Sequence, residues 1–182
     1  MADTTSVLPA AFLRNYFHAK DENRPHILTS VFDAAATLEV RNRSSAITFP
    51  AITTGRDAIA DVLVRNFGQT YENVYSFYMN RPQGPVHNFS CDWLVAMTEK
   101  TTRNVRVGCG SYDWVFTPEP PNLARRLTIT ICDMQILPAD RVDAVFTWLQ
   151  RLTYPWSTPA EVVKSAPNIA ELAPVLQHLG RR

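Results

Sequence analysis

Aspartates within strand-like segments are the first residues of this sequence that could do chemistry. Asp113 alternates with Ser111 and Val115 on one face of a predicted strand, and we expect this face to line an interior pocket. Asp92, on the preceding strand, is expected to point to the other side. If the connecting turn differs by one residue, Asp92 instead opposes Asp113, and two carboxyls share a site for acid–base work. A register slip of one residue would turn Asp113 to solvent.

Two further polar residues flank predicted strands. His87 precedes a strand in a Gly-Pro-Val loop, and in a pocket it would suit acid–base catalysis; otherwise it is an exposed loop residue. Asp133 and Gln135 share a face with Ile129 and Ile131 on the last strand. Either could supply a polar group at a pocket mouth, or simply lie at the exposed end of the strand.

Metal and nucleotide sites are not predicted. No histidine pair has metal-ligand spacing, and no glycine-rich phosphate loop is present. The three cysteines, Cys91, Cys109 and Cys132, form no Cys-x-x-Cys pair and lie in strand-like runs. We read them as small buried apolar residues, and we expect no cofactor.

The elements that position these residues begin with helices. Phe12 and Tyr16 recur at four-residue spacing and predict a helix over residues 9–20. Pro25 suits the first turn of a second, short helix, and Gly55 opens a third. Alternation of apolar residues then predicts strands. These strands cover residues 37–43, 74–79, 89–99, 104–117 and 127–137.

Helices followed by a run of antiparallel strands indicate the α+β class. Residues 101–104 form a short hairpin connection, and more helices follow Pro138. On the first strand of the hairpin, the more apolar face carries Trp93, which we expect in the pocket. On the second, Tyr112 and Trp114 would then lie on the outer face of the sheet. A row of aromatic residues on the outer face must be covered, either by a second copy of the chain in a homodimer through the outer sheet face or by the C-terminal helices of the same chain.

Composition limits the function classes. The 182 residues suit about one domain, and 46% of them are apolar. The formal net charge of +1 offers no footprint for nucleic acid or an anionic membrane. No apolar run is long enough for a membrane helix, and the N-terminus lacks a secretory signal pattern. We therefore expect a cytoplasmic protein with neither nucleic acid nor membrane as a partner.

Three local stretches resemble the nuclear transport factor 2-like superfamily, which includes SnoaL-like cyclases, scytalone dehydratase and steroid isomerases. They are FDAAATL at 32–38, GRDAI at 55–59 and SYDWVF at 111–116. The resemblance implies a cystatin-like cone, in which a curved antiparallel sheet wraps the N-terminal helices around an apolar pocket. It implies a domain over residues 1–137, and residues 138–182 would be a helical extension packed on that domain.

The resemblance to the steroid isomerases also implies site residues. Tyr16 matches their oxyanion-stabilising tyrosine, and Asp113 matches their neutral, hydrogen-bond-donating aspartic acid. Val40 stands where those enzymes have their catalytic base, and valine cannot accept a proton. Two donors in an apolar pocket, with Trp93 in its wall, would therefore remain from that mechanism.

Two functions follow as hypotheses. The first is a SnoaL-like isomerase, cyclase or dehydratase that acts on an apolar carbonyl or cyclic compound through Tyr16 and Asp113, with an unassigned base. The second is a non-catalytic binding or assembly module, such as the small structural subunit of ring-hydroxylating dioxygenases. The missing base at Val40 favours binding, whereas a polar pair in an apolar pocket favours catalysis.

Overall fold

A single six-stranded sheet organises the molecule. The computed structural model describes residues 8–181. The strand order is β2-β1-β6-β5-β4-β3; neighbours are antiparallel except β1 and β6, which are parallel. The sheet is therefore mixed. The strands are β1 (Phe32–Asn42), β2 (Ile52–Thr54), β3 (Tyr71–Tyr78), β4 (Asn88–Glu99), β5 (Val105–Phe116) and β6 (Ala124–Leu137).

The N-terminal helices pack on the inner face of the sheet. Helix α1 spans Pro9–Asp21, with proline in its first turn, and a 3-10 helix spans Pro25–Ser30. A third helical stretch follows Gly55, whose φ of 94° lies in the left-handed region that favours glycine. These three predicted helices are confirmed. The third stretch comprises α2 (Arg56–Ala60), a π-helical segment (Asp61–Arg65) and α3 (Asn66–Thr70).

The aromatic residues of β5 face the inside of the molecule. Tyr112 and Trp114 are buried against α1, and the Tyr16 ring meets the Trp114 ring edge-to-face at 5.1 Å. The prediction that these residues lie on the outer face is therefore wrong. Asp113, between them, is exposed on the outer face and not in a pocket. Alternation along a strand separates two faces, but it cannot say which is inner when both are apolar.

The C-terminal helices explain why both faces of β5 are apolar. They cover a second core on the outer side of the sheet, where Leu94, Val105 and Val107 are fully buried. Because these helices cover the outer face of the sheet, no homodimer is needed to cover it. The homodimer through the outer sheet face and the domain boundary at residue 137 both stay predictions. The helical segments are a 3-10 turn (Ala139–Arg141), α4 (Val142–Leu149), α5 (Pro159–Ser165), a second 3-10 turn (Ala170–Leu172) and α6 (Ala173–Gly180).

A bulge in β6 changes the face of Asp133. Cys109 pairs with Asp133, whereas the next residue, Gly110, pairs with Ile131, so Cys132 is an extra residue on β6. Alternation is therefore broken, and Met134 takes the inner position expected for Asp133. The prediction that Asp133 lies at the pocket mouth is wrong, because a one-residue bulge reverses every following side chain.

No helix within residues 8–181 is long and apolar enough to cross a membrane.

Candidate functional site

A small apolar cavity lies between α1, the third helical stretch and the inner face of the sheet. The space open to the centre of a water molecule is about 50 Å³. One water needs about 10–15 Å³ on this measure, so a larger ligand requires the wall to move. The lining consists of Tyr16, Lys20, Val40, Ile47, Phe49, Leu63, Phe67, Trp93, Val95, Met97, Tyr112, Ile129, Ile131 and Met134.

The loop between β1 and β2 separates this cavity from an outer hollow. The hollow, of about 240 Å³, shares Ile47, Phe49 and Phe67 with the cavity. The Nδ2 of Asn42 donates to the carbonyl oxygen of Ile47 at 2.6 Å and holds the loop in place. The half-buried Phe49 therefore lies in the wall shared by the hollow and the cavity.

Tyr16 places a buried hydroxyl in the cavity wall. Its side chain is fully buried, and the hydroxyl makes no hydrogen bond of ordinary geometry within the described residues. Burial raises the pKa of Tyr16 strongly, the Asp21 carboxylate raises it further, and the Tyr112 hydroxyl opposes the shift. Tyr16 is therefore a neutral donor at physiological pH.

Lys20 brings an ammonium group to the same wall, one helical turn beyond Tyr16. Its Nζ donates to Asp21 Oδ1 at 2.5 Å and to Ser76 Oγ at 2.9 Å. The Ser76 hydroxyl and amide both donate to Asp21, at 3.0 and 3.1 Å. This Lys20–Asp21–Ser76 cluster is buried, and it joins the end of α1 to β3. Removing either charge alone would leave the other buried without its partner.

Two aromatic rings fix the position of the Lys20 ammonium. Nζ lies 5.1 Å from the centroid of the Phe67 ring and 5.8 Å from that of Phe17. Rings at such distances attract a cation through their negative faces. These contacts and the Asp21 bond allow an ammonium group to remain in a wall that is otherwise apolar.

Trp93 supplies a third polar atom to the wall. It lies on β4 directly opposite Gly110 of β5, and a Cβ at Gly110 would come within 2.7 Å of Cζ2 of the indole. The glycine therefore makes room for the ring. The indole Nε1 is buried and has no hydrogen-bond partner among residues 8–181. The Tyr112 ring lies between the two unpaired donors, with its centroid 5.7 Å from Trp93 and 5.9 Å from Tyr16.

Solved structures share this architecture. A type 2 hexachlorocyclohexane dehydrochlorinase matches with a TM-score of 0.57 at 12% identity, over 69% of this chain and 84% of that chain. A Catenulispora acidiphila protein with a ketosteroid isomerase-like fold, in complex with trimethylamine, gives 0.52 at 14% identity, over 65% and 82%. A nuclear transport factor 2-like superfamily protein from Salmonella enterica gives 0.51 at 14% identity, over 66% and 85%.

The chain has the nuclear transport factor 2-like fold. No protein-family model matches the sequence, and no curated protein matches it. Identities this low show the fold alone, and a fold hosts many activities. What the site can do must therefore be argued from its own side chains.

Within this nuclear transport factor 2-like cone, the structure brings together only part of the predicted site. Tyr16, Val40 and Trp93 line the cavity. Asp113 lies outside on the sheet, where its Oδ1 accepts a hydrogen bond from Ser90 Oγ at 2.6 Å. His87 is exposed, in a separate hollow lined by proline-rich loops, so its prediction as a pocket residue is wrong.

The alternative pairing of two carboxyls is excluded by the strand register. Asp92 pairs with Ser111 and not with Asp113, and it does not line the cavity. Trp93 pairs with Gly110, so Asp92 shares the outer face with Ser111 and Asp113. The register therefore differs by one residue from the expected one, which placed the two aspartates on opposite faces. Among residues 8–181, no three histidine, cysteine, aspartate or glutamate side chains are grouped to hold a metal ion.

Sequence reasoning missed Lys20, Asp21 and Ser76. The predicted first helix ends at residue 20, and no role is predicted for these three side chains. A signal was available, because Lys20 follows Phe12 and Tyr16 at four-residue spacing and so extends the buried stripe of α1. A lysine on a buried stripe needs a partner inside the molecule, and this predicts an ion pair near the pocket.

The arrangement suits hydrogen-bond donation to a ligand. Tyr16, Lys20 and Trp93 all present donors, and the described lining contains no carboxylate, amide or imidazole group. Donors held rigidly in a site of low dielectric stabilise negative charge that develops on an oxygen atom. Asp21, behind Lys20, supplies a carboxylate that is bonded to this ammonium.

Proposed function

We propose that this protein binds a small, largely apolar molecule in the cone cavity. The observation that carries the proposal is a buried apolar cavity lined by Tyr16 and Trp93, whose buried hydroxyl and indole N–H have no hydrogen-bond partner among residues 8–181. An unpaired buried donor costs about 1–3 kcal/mol, and a ligand acceptor would recover part of that cost. A core without a ligand would gain by replacing both residues with purely apolar ones.

Isomerisation, cyclisation or elimination is the chemistry that these donors support best. Tyr16 would stabilise an enolate oxygen formed from a carbonyl compound. The base would be the Lys20 amine, after its proton passes to Asp21 Oδ1 across the 2.5 Å hydrogen bond. Abstraction of a ligand proton would then return Lys20 to an ammonium, so the proton count balances. Neither Asp113 nor His87 takes part.

Binding without turnover is the second candidate. It is favoured by the lack of a carboxylate or imidazole in the described lining, because proton abstraction then depends on an amine that is held in an ion pair. A role in assembly, as a structural subunit, belongs to the same class. It predicts a stable complex with a larger catalytic chain and no enolisation by the isolated protein.

Binding is tested by NMR titration with ethylbenzene. Saturable shifts should appear at backbone amides around the cavity. The variant Ile129→Phe fills the cavity and should abolish them, whereas Val163→Phe, at an exposed site on α5, should leave them unchanged. Shifts that do not saturate, or that survive Ile129→Phe, would show that the cavity is not the binding site.

Turnover is tested by hydrogen–deuterium exchange of the methyl group of acetophenone in D2O. Exchange accelerated by the protein and lost in Lys20→Met would support the enzyme. Binding of acetophenone without accelerated exchange would favour the non-catalytic candidate.

A further inference from the structure

We infer that the ligand is an uncharged molecule with a hydrogen-bond acceptor at one end, such as a ketone, ester or lactone, and that carboxylates and amines are excluded. This inference deepens the proposed function and rests on it. It follows from three features of the cavity: its donors, its net charge and the saturation of Asp21, the carboxylate bonded to Lys20.

The first feature is the set of hydrogen-bond donors on the residues that line the cavity. Three residues that line the cavity, Tyr16, Trp93 and Lys20, carry hydrogen-bond donors and are here called the donor wall. The Tyr16 hydroxyl and the Trp93 indole have no partner among residues 8–181. Tyr16 is 0% exposed and Trp93 4% exposed, so water reaches neither freely. An indole N–H and an ammonium can only donate. A ligand therefore has to bring the acceptor, and a hydrocarbon would leave both donors unpaired.

The charge of the cavity excludes an anion. Lys20 is the only charged residue in the described lining, and Asp21 balances it at 2.5 Å. The Lys20–Asp21 pair has no net charge, whether the shared proton lies on Lys20 or on Asp21. A carboxylate that enters loses its hydration and meets no free counter-ion, which is costly in an apolar cavity.

The saturation of Asp21 excludes a cation. Its two oxygens already accept from Lys20 Nζ, Ser76 Oγ and Ser76 N. An amine would therefore find no free carboxylate oxygen, and it would add a second positive charge beside Lys20. A neutral acceptor, by contrast, pairs with Tyr16 or Trp93 and disturbs neither member of the ion pair.

The test compares four probes of similar size: acetophenone, ethylbenzene, benzoate and benzylamine. Their dissociation constants are measured by NMR titration of the full chain at neutral pH. Acetophenone should bind about fivefold more tightly than ethylbenzene, because one neutral hydrogen bond is gained. Benzoate and benzylamine should bind at least about tenfold more weakly than acetophenone, because each buries an unpaired charge.

Variants assign the effect to the donor wall. Tyr16→Phe and Trp93→Phe should each lower the preference for acetophenone over ethylbenzene, whereas Val163→Phe, at the exposed site on α5, should leave this preference unchanged. Asp21→Asn leaves the Lys20 charge unbalanced, so benzoate affinity should rise by about tenfold. If Asp21→Asn does not fold, the two phenylalanine variants and the four probes still test the inference.

The outcomes separate the inference from the proposed function. Benzoate or benzylamine binding as tightly as acetophenone would overturn the inference and leave a binding cavity in place. An unchanged preference for acetophenone in both phenylalanine variants would overturn the donor assignment. Failure of all four probes to bind would overturn the proposed function and the inference together.

Discussion

Two buried tyrosine hydroxyls differ sharply in their surroundings. The Tyr78 hydroxyl donates to the carbonyl oxygen of Leu13 on α1 at 2.8 Å, and its ring stacks on Phe17 with centroids 3.9 Å apart. The Tyr16 hydroxyl, in the cavity wall, has no such bond within the described part of the chain. One hydroxyl therefore holds α1 to β3, whereas the other is the donor that we propose for a ligand.

Replacement of each tyrosine by phenylalanine separates these roles. Tyr16→Phe should leave the free energy of unfolding unchanged or raise it by up to about 1 kcal/mol, because an unpaired buried hydroxyl is removed. Tyr78→Phe should lower it by about 1 kcal/mol, because the Leu13 carbonyl loses a donor. Urea denaturation of the unliganded proteins measures both. A loss in Tyr16→Phe as large as that in Tyr78→Phe would mean that the Tyr16 hydroxyl is satisfied in solution.

Asp21 makes the stability of the protein depend on pH. Burial raises the pKa of its carboxyl above the ordinary value of 3.8, and the Lys20 and Ser76 donors oppose this shift. A group whose pKa is raised by folding holds its proton more tightly in the folded chain than in the unfolded chain. Its contribution to stability is therefore complete below pH 3.8 and is lost as the pH rises through the folded-state pKa.

The variant Asp21→Asn isolates this contribution, because asparagine does not titrate. The free energy of unfolding of the unchanged protein, minus that of the variant, should fall as the pH rises from about 4 and then level off. Denaturation in urea across this pH range gives the difference. A difference that rises with pH would mean that the Lys20 and Ser76 donors outweigh burial.

At the scale of elements, the β4–β5 hairpin shapes the cavity wall through two glycines. A Cβ at Gly110 would overlap the backbone carbonyl oxygen of Thr130 and press on the Trp93 ring. A Cβ at Gly108 would instead meet the flexible end of Met134, with Cε at 2.5 Å. The close approach of β5 to β6 at Gly110 cannot relax, whereas the Met134 side chain can move.

The same substitution at both positions tests this difference. Gly110→Ala should lower the free energy of unfolding by about 3 kcal/mol, because backbone has to shift, and Gly108→Ala by about 1 kcal/mol. Gly110→Ala should also weaken binding of acetophenone, because the displaced Trp93 indole forms part of the donor wall. Chemical denaturation and NMR titration measure the two effects, and equal costs at both positions would contradict the proposed packing.

At the scale of the whole molecule, the sheet is shared by two cores. The inner core contains the cavity, and the outer core lies beneath α4–α6. Phe77, Leu94 and Val107 are nearly or fully buried on the outer side. Burial of each is worth about 1.5–3 kcal/mol, so together they rival the net stability of a typical domain, about 5–15 kcal/mol.

A chain that ends at residue 137 should therefore fail to remain a folded monomer. The exposed outer face would drive association or unfolding, which size-exclusion chromatography with light scattering and circular dichroism would detect. Serine at Phe77, Leu94 and Val107 in the shortened chain should reduce association. A monomeric shortened chain with cooperative unfolding would mean that the outer core contributes little.

Sequence patterns predicted the longer elements in their order, but they predicted no strand at Ile52–Thr54, where β2 lies, and they began the first strand at residue 37 and not at Phe32. Four-residue spacing at Phe12 and Tyr16 predicted helix α1, and the change to two-residue spacing predicted β3–β6, within a few residues of the observed ends. These patterns work because a helix and a strand repeat their faces at fixed intervals along the chain. The placement of Tyr16, Val40 and Trp93 on interior faces came from the same local rule.

Only the tertiary structure decided which faces form the site. Both faces of β5 are apolar, because α4–α6 cover one and α1 the other, so alternation could not tell that Asp113 faces outward. The extra residue Cys132 reversed the face of Asp133, because a bulge depends on pairing between strands. The Lys20–Asp21–Ser76 cluster joins positions 55 residues apart. A local pattern determines which side chains lie on each face of a helix or strand. Contacts between residues far apart in the sequence determine what that face packs against.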